Sequence, residues 1–188
     1  MMQTEQKKLI HWGIVRISES HFILAATDRG LCYLQFHESD AEPPIHWGRK
    51  QFPEYNWIED KESVLEPYLV QIEEYLRGLR TEFTLPLDLR GTEFQQGVWR
   101  ALNEIPHGVT HSYSEIAQAL NKPSAVRAVG TAIGANPILV VVPCHRVVGK
   151  NGALTGYRGG LVNKEKLLEL EGARIGKGIS EVANVMGS

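Results

Sequence analysis

Five apolar residues in succession, Ile138 to Val142, stop at Pro143 and give way at once to Cys144, His145 and Arg146. A run this short and unbroken reads as a buried strand, because every side chain must leave water whichever way it points. Proline fixes its own φ and has no N–H to donate, so the run ends on a rigid corner. That corner carries a thiol beside an imidazole and a guanidinium. Such neighbours lower a cysteine pKa from about 8.5 toward neutrality, which makes Cys144 a candidate nucleophile and His145 a candidate base. A lone Cys-His dipeptide equally fits a buried structural thiol, since adjacent side chains often point apart.

Periodicity supplies the elements around the corner. Segments rich in Ile, Val, Leu and aromatics near Trp12–Ile17, His21–Ala26 and Cys32–Phe36, separated by SES and TDRG turns, predict an antiparallel meander. The stretch AEPPIHWGRKQFPEYN reads as a loop, and Leu65, Leu69, Ile72 and Leu76 predict a helix over about residues 62–77. LPLDLRG then links to a second, mostly helical half. Thr92 is a candidate N-cap for a helix bearing Phe94, Val98, Trp99 and Leu102 that stops near Pro106. Ser112 and Glu115 form a capping box for a helix through Leu120. Lys122-Pro123 breaks it, and a further helix from near Ser124 to Asn136-Pro137 completes a helix-turn-helix pattern.

That last helix carries Ala125, Ala128, Gly130, Thr131, Ala132, Gly134 and Ala135. Each glycine costs about 1 kcal/mol relative to alanine, so something compensates. Two compensations fit: close packing on a neighbouring helix, or close approach to another surface such as DNA, with Arg127 the large charged group there.

Composition excludes several classes. With 188 residues, 43% hydrophobic and a net charge of −2, the chain can bury a core and lacks the bias of disorder. No stretch approaches the roughly 18 apolar residues of a membrane span, and MMQTEQKKLIHWG lacks the apolar run of a signal peptide, so a cytoplasmic protein is expected. Two cysteines cannot build a disulfide framework or a four-cysteine zinc site; Cys32 reads as a core residue, and neither metal nor cofactor is expected. The near neutrality is a cancellation: residues 1–90 carry −5 and residues 91–188 carry +3, a weak hint of an anionic partner for the second half.

The stretches PLDLRGTEFQQGVWRALNEIPHG, SYSEIAQAL, RAVGTAIGANP, VPCHRVVGKNGALTGYRGGL and KEKLLELEG closely resemble, in order and spacing, the O6-alkylguanine-DNA alkyltransferases of bacterial type. These are also called methylated-DNA-protein-cysteine methyltransferases. The resemblance is strong over residues 85–172 and looser before them. It implies an α+β chain with three parts: an N-terminal β-rich, ribonuclease H-like subdomain over 1–85, a mostly helical domain with a winged-helix-like helix-turn-helix over 86–175, and a tail over 176–188.

The resemblance also implies a DNA repair activity. A stoichiometric transferase moves an alkyl group, typically methyl, from guanine O6 irreversibly to its own Cys144. His145 is then the base that draws the thiol proton through a water, Glu171 rather than Glu169 orients it, and Asn136 holds the turn. Tyr113 pushes the phosphate and lies against the flipped base, Arg127 fills the vacated stack, and a face with Ala128, Gly130 and Thr131 enters the minor groove. Pro143, Val147, Tyr157, Arg158 and Gly159 form the pocket, with backbone N–H near Arg158 donating to O6. Gly159, where some relatives carry tryptophan, predicts a pocket wide enough for O6-benzyl adducts. The implied partner is double-stranded DNA containing O6-alkylguanine, with O4-alkylthymine left open, bound by a monomer without a membrane.

Three alternatives carry different signatures. A non-catalytic relative that only binds alkylated DNA would lack Cys144. A helix-turn-helix regulator leaves PCHRV and Glu171 without a purpose, and a Cys-His hydrolase would turn over repeatedly.

Overall fold

The computed structural model describes residues 8–37, 43–60 and 63–174. The tail expected over 176–188 lies outside the described residues. Three strands, β1 (Lys8–Ile17), β2 (Ser20–Thr27) and β3 (Gly30–Phe36), form the expected antiparallel meander. A fourth strand, β4 (Tyr55–Glu59), pairs parallel with β1 and gives the order β3-β2-β1-β4.

The stretch expected to be a loop therefore holds two elements, β4 and the helix α1 (Ile45–Gln51). A strand added in parallel needs a crossover, and α1 lies within it. Seven residues beginning after Pro44 are too few to display a helical period, which hid the helix. Trp47, Phe52, Tyr55 and Trp57 from this crossover cover one face of the sheet, packing on Ile10, Ile23, Ala25, Cys32 and Tyr33. Helix α2 (Glu66–Leu76) lies against the rest of the core through Ile72 and Tyr75; Pro67 sets its first turn, and the earlier start expected at residue 62 is outside the described residues.

In the second half, α3 (Glu93–Asn103) and α4 (Tyr113–Ala119) both start with complete capping boxes, Thr92 with Gln95 and Ser112 with Glu115. Each box satisfies two orphan backbone donors, so these starts are encoded within four residues. Helix α5 (Val126–Gly134) packs on α3 and α4, and Trp99 of α3 donates its indole N–H to Ala132 O at 2.9 Å. Two short strands, β5 (His111–Ser112) and β6 (Val147–Val148), pair in parallel ahead of α6 (Leu161–Leu170). The chain is thus mixed α+β, a sheet followed by a helical half.

The apolar run 138–142 is buried, as expected, but it is not a strand. Its one ladder contact is Ile138 beside Leu34, after which the backbone bends, with Val140 at φ +70°. A β-branched residue in the left-handed region stores of order 1–3 kcal/mol of strain. Continuous hydrophobicity reports burial, not pleat, and here the peptide groups close short turns: Val141 N–H donates to Leu139 O and Cys144 N–H to Val142 O, both at 2.8 Å.

One core joins the halves. Phe22, Leu24 and Leu34 of the sheet share a cluster with Val98, Trp99, Leu102, Ile116, Ile133 and Val142. The free edge of β3 is covered by the linker, through Leu31 N–H to Pro86 O (2.9 Å) and Asp88 N–H to Leu31 O (2.8 Å). It is covered again by the start of the apolar run, where Gln35 Nε2 donates to Asn136 O (3.3 Å) and Pro137 O (3.0 Å). Among the described residues, no helix is long and apolar enough to cross a membrane, and no group of three or more His, Cys, Asp or Glu could hold a metal ion.

Candidate active site

Asn136 organises the catalytic corner. Its Nδ2 donates to Val142 O at 3.0 Å and to Cys144 Sγ at 3.1 Å, while its Oδ1 accepts from Ile138 N–H at 2.9 Å. One fully buried amide thus closes the loop from 136 to 144 and leaves the sulfur as an acceptor, the role a thiolate fills better than a thiol.

The expected fall of the Cys144 pKa is nevertheless not what the site produces. Burial pushes the thiol up to about 11, against the pull of the Asn136 hydrogen bond and of the positive charge on Lys164. Arg146 does not face the sulfur: its guanidinium turns the other way, onto Glu171 and Ile105 O. Cys144 is therefore protonated at neutral pH, and its proton has to leave as the sulfur reacts. Among the described residues, no hydrogen bond joins the thiol to His145 directly.

His145 is fully buried and sits on Glu171, Nε2 to Oε1 at 2.9 Å. Burial lowers its pKa, with Glu171 opposing. Glu171, at the end of α6, is held well below the usual carboxylate range: burial alone would raise it, but the hydrogen bonds from His145 and Arg146 win. An ionised carboxylate has no proton to give, so Nε2 carries the hydrogen and Nδ1 is the basic atom. Nδ1 is buried and has no hydrogen-bond partner among the described residues, which suits a proton acceptor.

Three residues join the site that sequence reasoning did not assign to it. Arg146 binds Glu171 with Nε and Nη2 (2.9–3.1 Å). Tyr75, from α2 in the first half, donates its hydroxyl to Glu171 Oε1 at 2.5 Å. Lys164, with no exposed surface, donates Nζ to Val147 O, Thr155 O (2.7 Å) and Gly156 O (3.3 Å); burial brings its pKa down to about 8. A signal existed for two of them: Lys164 shares the buried face of α6 with Leu167, Leu168 and Glu171 at spacings of 3, 4 and 7, and Tyr75 follows Ile72 on the buried face of α2. A lysine or tyrosine on such a face needs a polar partner.

Cys144 opens onto a pocket of about 390 Å³ lined by Tyr113, Gly130, Ile133, Gly134, Gly156, Tyr157 and Arg158. The volume falls within the range of small-molecule sites. The β5–β6 pairing sets Tyr113 beside the strand that follows the catalytic corner, and its hydroxyl reaches Thr155 O at 3.3 Å. Pro143, Val147 and Gly159 do not line this pocket. Pro143 borders a separate cavity on the far side of the corner, and Val147 is core. A Cβ on Gly159 would meet Tyr157 Cε1 at 2.6 Å and Phe36 Cδ2 at 2.7 Å. The glycine thus lets Tyr157 and β3 approach each other, so the width expected from it acts only through the seat of Tyr157.

Helix α5 buries Val129, Ala132 and Ile133 and exposes Arg127, Ala128, Thr131 and Gly134. A Cβ on Gly134 would meet nothing within 4 Å, and one on Gly130 would touch only the Tyr113 ring at 3.7 Å. Of the two readings of this small-residue helix, internal packing accounts for Ala132 and Ala135; the outer face is left flat and open, beside the mouth of the pocket.

A thiol on the floor of a pocket, backed by an imidazole and carboxylate and flanked by a helix-turn-helix, defines a cysteine-dependent group-transfer protein of the nucleic-acid-binding kind. Two family models divide the chain: "6-O-methylguanine DNA methyltransferase, ribonuclease-like domain" over residues 13–89 and "6-O-methylguanine DNA methyltransferase, DNA binding domain" over residues 93–173. The inducible methylated-DNA-protein-cysteine methyltransferase of Bacillus subtilis is 51% identical over 165 residues, 88% of this chain and 92% of that protein. The crystal structure of the Mycobacterium tuberculosis O6-methylguanine methyltransferase is similar with a TM-score of 0.75 at 41% identity, covering 91% of this chain and 98% of that one. The same bacterium's protein in complex with DNA matches with a TM-score of 0.72 at 41% identity, covering 87% and 92%. The chain belongs to the 6-O-methylguanine DNA methyltransferase family.

Proposed function

We propose that this protein repairs DNA by transferring an alkyl group, typically methyl, from guanine O6 to Sγ of Cys144, once per chain. The observation that carries the assignment of Cys144 is its place on the pocket floor, with Asn136 donating to its sulfur. His145 Nδ1 takes the thiol proton through a water as Sγ attacks the alkyl carbon. The new C–S bond forms as the C–O6 bond breaks; the electron pair stays on the base, which takes up a proton and leaves as guanine. Backbone N–H near Arg158 donates to O6 as its charge grows. The product is a thioether, which offers water no carbonyl to attack and no good leaving group, so the thiol is consumed.

The target atom lies inside the duplex, and extruding its nucleotide costs a few kcal/mol, less for a poorly paired base. The flat outer face of α5, with Ala128, Gly130 and Thr131, fits the narrow minor groove, Arg127 fills the gap in the stack, and Tyr113 lies against the turned-out base. The protein acts as a monomer on double-stranded DNA, in the cytoplasm. Residues 86–175 carry the chemistry and residues 1–85 form the supporting unit, in line with the two family models.

The test is an intact mass measurement after mixing with a duplex that contains O6-methylguanine. The expected result is a gain of about 14 Da, mapped to Cys144 and saturating at one per chain. Binding without a mass change, or repeated turnover, overturns the reading. Arg127→Ala should slow transfer from duplex at least about tenfold and leave reaction with free O6-benzylguanine unchanged, because only the duplex demands extrusion.

A further inference from the structure

The carboxylate behind the base is crowded. Glu171 Oε1 lies 2.5 Å from Tyr75 Oη, 2.9 Å from His145 Nε2 and 2.9 Å from Arg146 Nη2. Oε2 takes Arg146 Nε at 3.0 Å and the Gly108 N–H at 2.9 Å. Arg146 Nε is also 3.1 Å from Oε1, so four donor atoms from three residues compete for a carboxylate oxygen with about two lone-pair directions. Tyr75 is the shortest of them, comes from the first half of the chain, and is also 3.3 Å from His145 Nε2.

We propose that Tyr75 is a positioning residue for the transfer: by occupying Glu171 Oε1 it limits how tightly that carboxylate holds the proton on His145, and so keeps the imidazole a neutral base. The inference rests on the function proposed above. It gives the β-rich half a part in the chemistry beyond support.

The groups facing this centre are few. Tyr75 comes from α2, His145 and Arg146 from the helical turn after Pro143, and the Gly108 N–H from the loop before β5. Among the described residues, Lys164 and the Cys144 thiol are the remaining charged or nucleophilic neighbours, and the rings of Tyr157 and His107 stand edge-on to His145 and Tyr75. Removing the Tyr75 hydroxyl hands Oε1 to His145. The imidazolium gains, and the neutral form that must accept the thiol proton is lost at a higher pH.

The experiment is the pH dependence of methyl transfer from an O6-methylguanine duplex by full-length wild type, Tyr75→Phe, Glu171→Gln and the double variant. Rates are expressed per competent chain, counted by final methyl stoichiometry. Tyr75→Phe keeps the ring against Phe83 (5.1 Å between centroids). Its acid limb should move up by about one pH unit, the size of one hydrogen bond to a charged group. The rate should fall by up to about tenfold on the acid side of the wild-type limb and stay within about threefold near pH 8. In the Glu171→Gln background, adding Tyr75→Phe should move the limb no further. If Tyr75→Phe yields no competent protein, a ring-fluorinated tyrosine at position 75, a stronger donor of the same shape, should move the limb down. A loss uniform across pH, a limb that stays put, or a shift that persists without the Glu171 carboxylate overturns the proposal. Failure of the wild type to accept methyl would instead overturn the function on which it rests.

Discussion

Both cysteines of this chain are buried, and in both burial raises the pKa, yet their surroundings treat the sulfur in opposite ways. Cys32 lies under the outer face of the sheet among Ile10, Phe52 and Tyr55, and its thiol donates to Ala25 O at 3.3 Å. Cys144 accepts from Asn136 and feels the positive charges of Lys164 and Arg158. One environment stabilises the S–H form; the other resists ionisation only through lack of water and is already built for the anion. Burial alone does not separate an inert thiol from a reactive one. The direction of its hydrogen bond does.

The sharpest way to break that comparison is to delete each sulfur in turn. Cys144→Ala should abolish methyl transfer, read as the missing mass gain, whereas Cys32→Ala should leave the rate within about twofold, since the sulfur it removes is a core atom outside the pocket lining. A smaller effect concerns ionisation. With iodoacetamide, labelling of Cys144 should rise about a hundredfold between about pH 7 and about pH 9 and keep climbing, because a thiol at about 11 has not reached its plateau there. An inflection near pH 8.5, with a plateau about one unit above it, would place the thiol in an unperturbed setting and remove half of the contrast. Cys32 should label only after unfolding. The smallest difference is in stability: Asn136→Ala, which removes three hydrogen bonds, should cost about 2 kcal/mol in urea unfolding, against about 1 kcal/mol for Cys32→Ala.

Acid should act on the Cys144 side of the molecule. His145, lowered in the fold, binds fewer protons than its unfolded counterpart just below its ordinary pKa, so stability falls as pH drops from about 6.5. Glu171, also lowered, contributes stability above about 4.5 that is lost as pH falls further toward its folded value. Urea midpoints measured across this range should decline in that order, and Glu171→Gln should flatten the lower part.

What could be read in the sequence was what short segments encode. The two capping boxes need only residues three apart, and the meander needs only alternation and turns, so both appear where expected. The corner at Cys144 was legible as a place, since proline ends an apolar run wherever it stands. Its conformation was not, because the left-handed Val140 is dictated by Asn136 and by β3, a hundred residues upstream. The thiol's ionisation was misjudged for a related reason: a neighbouring cation in sequence, Arg146, is not a neighbour in space, and desolvation has no local signature. Tyr75 stayed invisible as a partner of Glu171 because the contact spans 96 residues.

The bond from Gln35 to the carbonyls of Asn136 and Pro137 has a consequence for inheritance. Together with Tyr75 on Glu171 and the linker strapped to β3, it makes the boundary between the halves a shared joint rather than a hinge. A half borrowed from a distant relative would bring mismatched partners to that joint. Substitutions at Gln35, Tyr75 and the corner are therefore expected to travel together, and recombination within this gene is tolerated only between donors whose joint residues already agree.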